Sequence, residues 1–216
     1  MSYSPRLFVP GLSVHVIRRG INREAVFRDE RDHLVFLHFL KRAAALNELL
    51  VHVYVLMKNH YHLIATPQNP FALPSAMKSL GLGYVKYFNK RYDRIGSPWT
   101  GKGRAIPIDS AMYWLTCARY VEQNPLRAGL VASPADYRWS SYRAHALGEP
   151  VGWLADHPVF HELGTTPSER QLVYRSLCET PLLPSDLVEQ RYSNERLMRA
   201  KDNQLTSIVT AADSGP

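Results

Sequence analysis

The strongest constraint on the fold of this chain is a pair of hydrophobic segments joined by a tight turn. Residues Leu50–Met57 read LVHVYVLM, Lys58 and Asn59 follow, and His60–Thr66 read HYHLIAT. Two runs rich in β-branched and aromatic residues around a two-residue turn predict a β-hairpin. Because the first strand is apolar on both faces, we expect it to lie centrally in a sheet.

Hydrophobic periodicity predicts the neighbouring elements. They are a strand over residues 11–18, helices over 30–47 and 72–92, a short strand over Ala105–Ile108, and a third helix from Ser110 to Asn124. Pro125 should end the third helix, because the residue before a proline is pushed out of the helical region. The order β-α-β-β-α-β-α indicates an α+β fold of ferredoxin-like type, an antiparallel sheet with helices on one face.

The pattern weakens after residue 145, so we expect residues 1–145 to form one domain and residues 146–216 a mostly helical C-terminal extension with a disordered tail. Thr166-Pro167-Ser168-Glu169 is a capping box with proline at the first helical position, which predicts a helix to about Cys178. Leu187–Leu197 predict a further helix.

The composition narrows the functional classes. Lys and Arg number 26 against 19 Asp and Glu, a net charge of +7 that favours a polyanionic partner such as nucleic acid. Cys117 and Cys178 form neither a disulfide framework nor a metal knuckle, and we expect both to be reduced core residues. The chain shows no signal peptide and no apolar run of membrane-spanning length, so we expect a cytoplasmic protein without a membrane partner.

His60 and His62 are the first candidates for chemistry. Residues two apart in a strand point to the same face, so the two imidazoles project together. Two histidines in this arrangement can chelate one metal ion. The alternative is that both are ordinary packing or surface residues.

The third predicted helix carries two neighbouring stripes. The apolar stripe, which should pack on the sheet, consists of Trp114, Cys117, Ala118 and Val121. The polar stripe consists of Tyr113, Thr116, Tyr120 and Asn124. Because Tyr120 and Asn124 are one turn apart, a phenol nucleophile and an amide ligand could act together there. The residues alone leave Tyr113 open as a rival nucleophile, and both tyrosines open as packing residues.

Basic residues flank these elements and are expected to contact phosphates. They are Arg18, Arg19, Arg23, Lys86, Lys90, Arg91, Arg94, Lys102 and Arg104. Several alternate with aromatic residues, an arrangement that suits single strands and hairpin loops. Most aromatic residues of the second helix should nevertheless belong to the core.

Four motifs, in this order along the chain, resemble those of REP-associated tyrosine transposases, a branch of the single-tyrosine HUH transposases. They are His15–Arg23 (HVIRRGINR), Tyr54–Leu63 (YVLMKNHYHL), Tyr84–Trp99 (YVKYFNKRYDRIGSPW) and Tyr120–Gly129 (YVEQNPLRAG). The resemblance covers about residues 8–145. The chain departs from the pattern at Lys58, where proline is common, and at Pro98, where leucine is common.

The resemblance implies roles for individual residues. His60 and His62 would bind a divalent metal, usually Mg²⁺ or Mn²⁺, Asn124 would complete its shell, and Tyr120 would be the nucleophile. Two imidazoles suit Mn²⁺ better than Mg²⁺. The implied substrate is a DNA hairpin with a single-stranded flank, in this branch a repetitive extragenic palindrome (REP), and the product is a 5′-phosphotyrosine with a free 3′-hydroxyl. Relatives include dimers with shared active sites, so a homodimer stays open.

Two other functions remain as alternatives. A hairpin-binding regulator that does not cut DNA would carry the same basic residues. A metal-dependent nuclease that uses water would need the histidines but not Tyr120.

Overall fold

The predicted hairpin is present and joins a four-stranded antiparallel sheet. Strands β2 (Leu49–Met57) and β3 (His60–Pro67) pair around the turn, and β3 also pairs with β1 (Val14–Arg19). β1 pairs with β4 (Arg104–Pro107), which gives the ferredoxin-like order β2-β3-β1-β4. The computed structural model describes residues 8–101, 103–180 and 182. In this order β3, the strand that carries the two histidines, is an interior strand between β2 and β1.

The central position expected for β2 is wrong, since β2 is an edge strand of this sheet. It is apolar on both faces because helices cover both faces of the sheet. Its free edge is hydrogen-bonded by later residues: Leu56 N–H donates to the Trp139 carbonyl at 2.9 Å, and Ser141 N–H donates to the Tyr54 carbonyl at 3.0 Å. An edge covered in this way cannot pair with another chain.

Two long helices lie on one face of the sheet, as predicted. They are α1 (Glu30–Leu46) and α2 (Ala72–Tyr92), and Asp29 caps α1 by accepting from the Asp32 N–H. Leu40, Leu63 and Tyr84 are completely buried between these helices and the sheet. Full burial of a large apolar side chain contributes about 1.5–3 kcal/mol, so this core holds β3 firmly in place.

The third helix corrects the expectation of helices on one face only, while the α+β fold class is confirmed. Helix α3 (Ala111–Glu122) packs against β2 and β3 on the face opposite α1 and α2. The apolar stripe of α3 points to the sheet as predicted, with Cys117, Ala118 and Val121 fully buried.

The helical path also continues past the predicted end at Pro125. A one-turn helix, α4 (Asn124–Arg127), follows α3 directly and has Pro125 in its first turn. A proline is tolerated there because the first N–H groups of a helix have no partner within it.

The C-terminal part of the described chain is helical. Its helices are α5 (Tyr142–Leu147), α6 (Pro158–His161) and α7 (Pro167–Glu179), and α7 begins at the predicted capping box of Thr166 and Glu169. The described residues up to Thr180 belong to one compact unit. A domain boundary at residue 145 stays a prediction, and the predicted helix Leu187–Leu197 and tail lie outside the described residues.

Cys117 and Cys178 are buried free thiols, as predicted. None of the helices described is both long and apolar enough to cross a membrane.

A buried carboxylate joins the C-terminal helices to α3. Glu122 is 0% exposed, and its two oxygens accept hydrogen bonds from the Ser141 hydroxyl, from His145 Nδ1 at 2.8 Å and from the Tyr174 hydroxyl at 2.7 Å. Glu122 is two residues from Tyr120. The position of the Tyr120 backbone thus depends on contacts with α5 and α7.

Glu122→Ala should destabilise the protein by about 3–5 kcal/mol, because it leaves three buried partners of one carboxylate unsatisfied. Urea unfolding followed by circular dichroism measures the loss. Glu162→Ala, at an exposed position after α6, is the matched control and should cost much less. Equal losses in the two variants would show that the buried network does not hold α3.

Candidate active site

His60 and His62 lie on the face of β3 that α3 covers. Their ring centroids are 5.1 Å apart, and the rings are nearly perpendicular. His62 is 1% exposed and His60 is half-buried, so the pair lies at the edge of a covered region. The predicted same-face arrangement is present.

Asn59 fixes the orientation of His60. Its Nδ2 donates to the Arg23 carbonyl at 3.0 Å, so its side-chain oxygen is the atom that faces His60 Nδ1 at 2.7 Å. An amide oxygen only accepts hydrogen bonds, and His60 Nδ1 therefore carries the proton. The lone pair of His60 is then on Nε2, the ring nitrogen away from Asn59.

His62 has a buried histidine partner that the sequence analysis did not assign. His15 Nε2 lies 2.9 Å from His62 Nδ1, and the two rings are stacked with centroids 5.1 Å apart. Burial lowers the pKa of His15 to about 3, which keeps this ring neutral. His15 belongs to the first quoted motif, and its alternation along β1 was the available signal.

The electrostatics keep both candidate ligands neutral. Burial, and then the positive charge of Arg19, lower the pKa of His60 to about 4, while contact with the Asn124 side chain acts in the opposite direction. The pKa of His62 is also well below its usual value, because of burial and then the neighbouring His15, His60 and Arg19. A neutral imidazole is the form that binds a metal ion.

Tyr120 is the tyrosine that lies beside the histidines. Its ring centroid is 5.8 Å from that of His62 and 6.2 Å from that of His15, and the residue is 5% exposed. Tyr113 precedes it by seven residues on the same helix, which places it about 10 Å away along the helix axis. The geometry therefore brings Tyr120 to the histidine pair.

Asn124 completes the group. Its Nδ2 donates to the Tyr120 carbonyl at 2.8 Å, and its side chain contacts the imidazole of His60. The amide oxygen, which only accepts, is the atom of this side chain that can bind a cation. Within the described part of the chain, no group of three or more His, Cys, Asp or Glu side chains is arranged to hold a metal ion, so a third protein ligand would be of another type.

Arg127 is a second residue that the sequence analysis did not assign. Its guanidinium carbon lies 4.9 Å from the centroid of the Tyr120 ring. Tyr120, Asn124 and Arg127 follow the spacing i, i+4, i+7 of one helix face, but the predicted end of the helix at Pro125 excluded Arg127 from that face.

The cations expected to contact DNA fall into different environments. The positive charge of Arg19 lowers the pKa of both histidines. Arg18 is half-buried and donates to the Gly101 carbonyl at 3.3 Å. Arg91 pairs with Asp29 and Asp32, and Arg94 pairs with Glu24 at 2.9 Å. The exposed cations are Arg23, Lys86, Lys90 and Arg104. Lys102 lies outside the described residues.

Helix α2 lies on the face of the sheet opposite the histidines, so its cations do not border Tyr120. Asp32 binds two of its tyrosines, accepting from the Tyr87 hydroxyl at 2.9 Å and the Tyr92 hydroxyl at 2.8 Å. Tyr84 and Phe88 are 0% exposed. The aromatic residues of α2 thus belong mainly to the core, as expected, and DNA contacts by Lys86, Lys90, Arg91 and Arg94 stay predictions.

A solved structure with a similar fold is that of a REP-associated tyrosine transposase bound to a REP hairpin. The match has 18% sequence identity and a TM-score of 0.57, and it covers 72% of this chain and 93% of that chain. At this identity the match supports the fold.

Two further solved structures match more weakly, and their TM-scores are too low to support an argument. A putative transposase from Deinococcus radiodurans has 20% identity and a TM-score of 0.39, with 56% of this chain and 97% of that chain covered. The tRNA(His) guanylyltransferase from Saccharomyces cerevisiae has 12% identity and a TM-score of 0.36, with 82% of each chain covered.

No curated protein matches the sequence. The sequence model of the family described as "Transposase IS200 like" matches residues 8–124. This range is more than half of the chain and contains both histidines of β3, Tyr120 and Asn124, and the chain therefore belongs to the IS200-like transposase family.

Proposed function

We propose that this chain cleaves and rejoins single-stranded or hairpin DNA through a covalent bond between a 5′-phosphate and Tyr120. The observation that carries the proposal is the Tyr120 ring at 5.8 Å from His62, one of two neutral histidines on the same face of β3. Membership of a transposase family supports it, because such enzymes generally cut and transfer DNA strands.

His60 and His62 would hold a divalent ion, Mg²⁺ or Mn²⁺, with the amide oxygen of Asn124 as a third ligand. The residues fit such an ion because both imidazoles are neutral, Asn59 leaves His60 Nε2 with a lone pair, and the Asn124 side chain with its amide oxygen contacts His60. When bound, the ion acts as a Lewis acid on a non-bridging phosphate oxygen. Two imidazoles favour Mn²⁺ over Mg²⁺.

Tyr120 would then exchange one phosphoester for another. Its hydroxyl oxygen attacks phosphorus, the new O–P bond forms, and the bond from phosphorus to the 3′-oxygen of the DNA breaks. The phenol proton goes to solvent, and the departing 3′-oxygen takes up a proton. Attack by a free 3′-hydroxyl on the phosphotyrosine reverses the step. The two histidines, Tyr120 and Asn124 come from one chain, so the proposed chemistry needs no residue from a second copy.

The substrate we propose is a DNA hairpin with a single-stranded flank, the REP palindrome being the leading example. The similar solved structure holds a REP hairpin. In this chain Arg19 and Arg104 lie near the histidines in the sheet, since Arg19 pairs with His60 and Arg104 pairs with Ile17, the neighbour of His62. Their charges suit the phosphates of the flank.

Tyr120→Phe should abolish a covalent protein–DNA product. The assay incubates the protein with Mn²⁺ and a hairpin strand that is labelled at its 3′ end and carries a single-stranded flank, and the product is resolved on a denaturing gel. The 3′ label stays on the protein because the 5′-phosphate of that fragment is the group bound to tyrosine. Tyr113→Phe, on the same helix, is the control and should form the product.

The same assay separates the two alternative functions. Cleavage that survives in Tyr120→Phe would favour a nuclease that uses water. Binding of several hairpins without any cleavage by the wild-type protein would favour a regulator and contradict the proposal.

Metal binding without DNA tests the histidine pair separately. Isothermal titration with Mn²⁺ should show loss of binding in His60→Gln and His62→Gln. Asn59→Ala should weaken binding about 10- to 100-fold, the usual effect of removing a group that orients a ligand. His38→Gln, at an exposed position of α1, should bind like the wild type. Equal affinity in all variants would place the metal elsewhere.

A further inference from the structure

Arg127 contacts the proposed nucleophile directly, and no part of the proposed function yet uses it. Its guanidinium stands over the Tyr120 ring, with the central carbon 4.9 Å from the ring centroid. We propose that Arg127 is a further catalytic residue that stabilises the negative charge developing on the phosphate under attack during the transfer. This inference rests on the proposed role of Tyr120.

The helical backbone determines the position of Arg127. The Arg127 N–H donates to the Gln123 carbonyl at 2.9 Å, and the Ala128 N–H donates to the Asn124 carbonyl at 2.9 Å. Pro125 is buried, which holds the short helix α4 against the protein. Because α4 continues α3, Arg127 follows Tyr120 by two helical turns on the same face. The contact is thus part of a regular element rather than of a loose loop.

The charge of Arg127 is available to a ligand. Arg127 is exposed, and among residues 8–101 and 103–180 no carboxylate forms an ion pair with it. Arg91 and Arg94 differ in this respect, since each is paired with at least one carboxylate. An exposed guanidinium can bind two phosphate oxygens at once.

The positions of the charged groups indicate why this arginine would act on the transition state. A phosphodiester carries one negative charge, and the phenol oxygen brings a second as its proton leaves to solvent, so negative charge accumulates on the phosphoryl oxygens as the Oη–P bond forms. The His62 ring is nearly perpendicular to the Tyr120 ring at a centroid distance of 5.8 Å, and the Arg127 guanidinium lies over the Tyr120 ring. A cation fixed at this position stabilises the added charge without rearrangement.

Arg19 is the other cation close to the site, and its position indicates a different role. Its positive charge lowers the pKa values of His60 and His62, and it lies in β1, where it pairs with His60 of β3. Arg127 contacts the tyrosine instead. Arg19 therefore lies beside the histidine pair, whereas Arg127 lies beside the nucleophile.

The test compares Arg127→Ala and Arg127→Lys with the wild type under single-turnover conditions at saturating hairpin DNA. The rate of covalent product formation should fall about 100-fold in Arg127→Ala, the usual cost of losing one stabilising donor group. Arg127→Lys should fall less, because it keeps the charge but not the planar fork. The rate of rejoining should fall by the same factor, since both directions share one transition state.

Two measurements distinguish catalysis from binding or folding. The affinity for uncut hairpin, measured with the same Arg127 changes in a Tyr120→Phe background, should change by less than about threefold. Added guanidinium should accelerate Arg127→Ala but not the wild type. Arg42→Ala, at an exposed position of α1, is the matched control and should leave both rate and affinity unchanged.

A normal rate in Arg127→Ala, while the wild type forms a product that depends on Tyr120, would overturn the inference and leave the proposed function intact. A loss of affinity with an unchanged rate at saturating DNA would reduce Arg127 to a ground-state phosphate contact and also overturn it. If the wild type forms no covalent product, the proposed function itself fails.

Discussion

The alternation of side chains along β3 is the constraint on which the rest of the structure depends. Tyr61 and Leu63 point into the core under α1 and α2, while His60 and His62 point to the face covered by α3. A shift of one residue in register would exchange the two sets and place both histidines in an apolar core. Neighbouring strands on both sides prevent that shift, so the histidine pair is as rigid as the sheet itself.

The face of the sheet that α3 covers contains buried polar side chains at one end. Their hydrogen-bond partners come from residues distant in the sequence. His15 and His62 are buried and neutral, and each has the other as a partner. Glu122 is a buried carboxylate on the tyrosine helix, and it is satisfied by α5 and α7. The residues from Tyr137 to Thr180 therefore do two things: they cover the free edge of β2, and they fix the helix that brings Tyr120 to the histidines.

Local periodicity accounts for what was predicted and for what was missed. The bounds of α1, α2 and β3 agree closely with the sequence pattern, because a period of two or 3.6 residues is visible within each segment. The central position of β2 was wrong because a strand that is apolar on both faces needs cover on both faces, not a strand on each side. The cover at its edge comes from Trp139 and Ser141, about eighty residues later in the chain.

The sequence by itself determined that His60 and His62 share a face and that Tyr120 and Asn124 are one helical turn apart, since these relations follow from local backbone geometry. Only the tertiary structure decided that this stripe lies over the histidine pair, that Tyr120 rather than Tyr113 is beside His62, and that His15 contacts His62 across the sheet. Such contacts depend on how a helix packs on a sheet. This packing is set by buried apolar and polar groups from many elements of the fold, which no single segment contains.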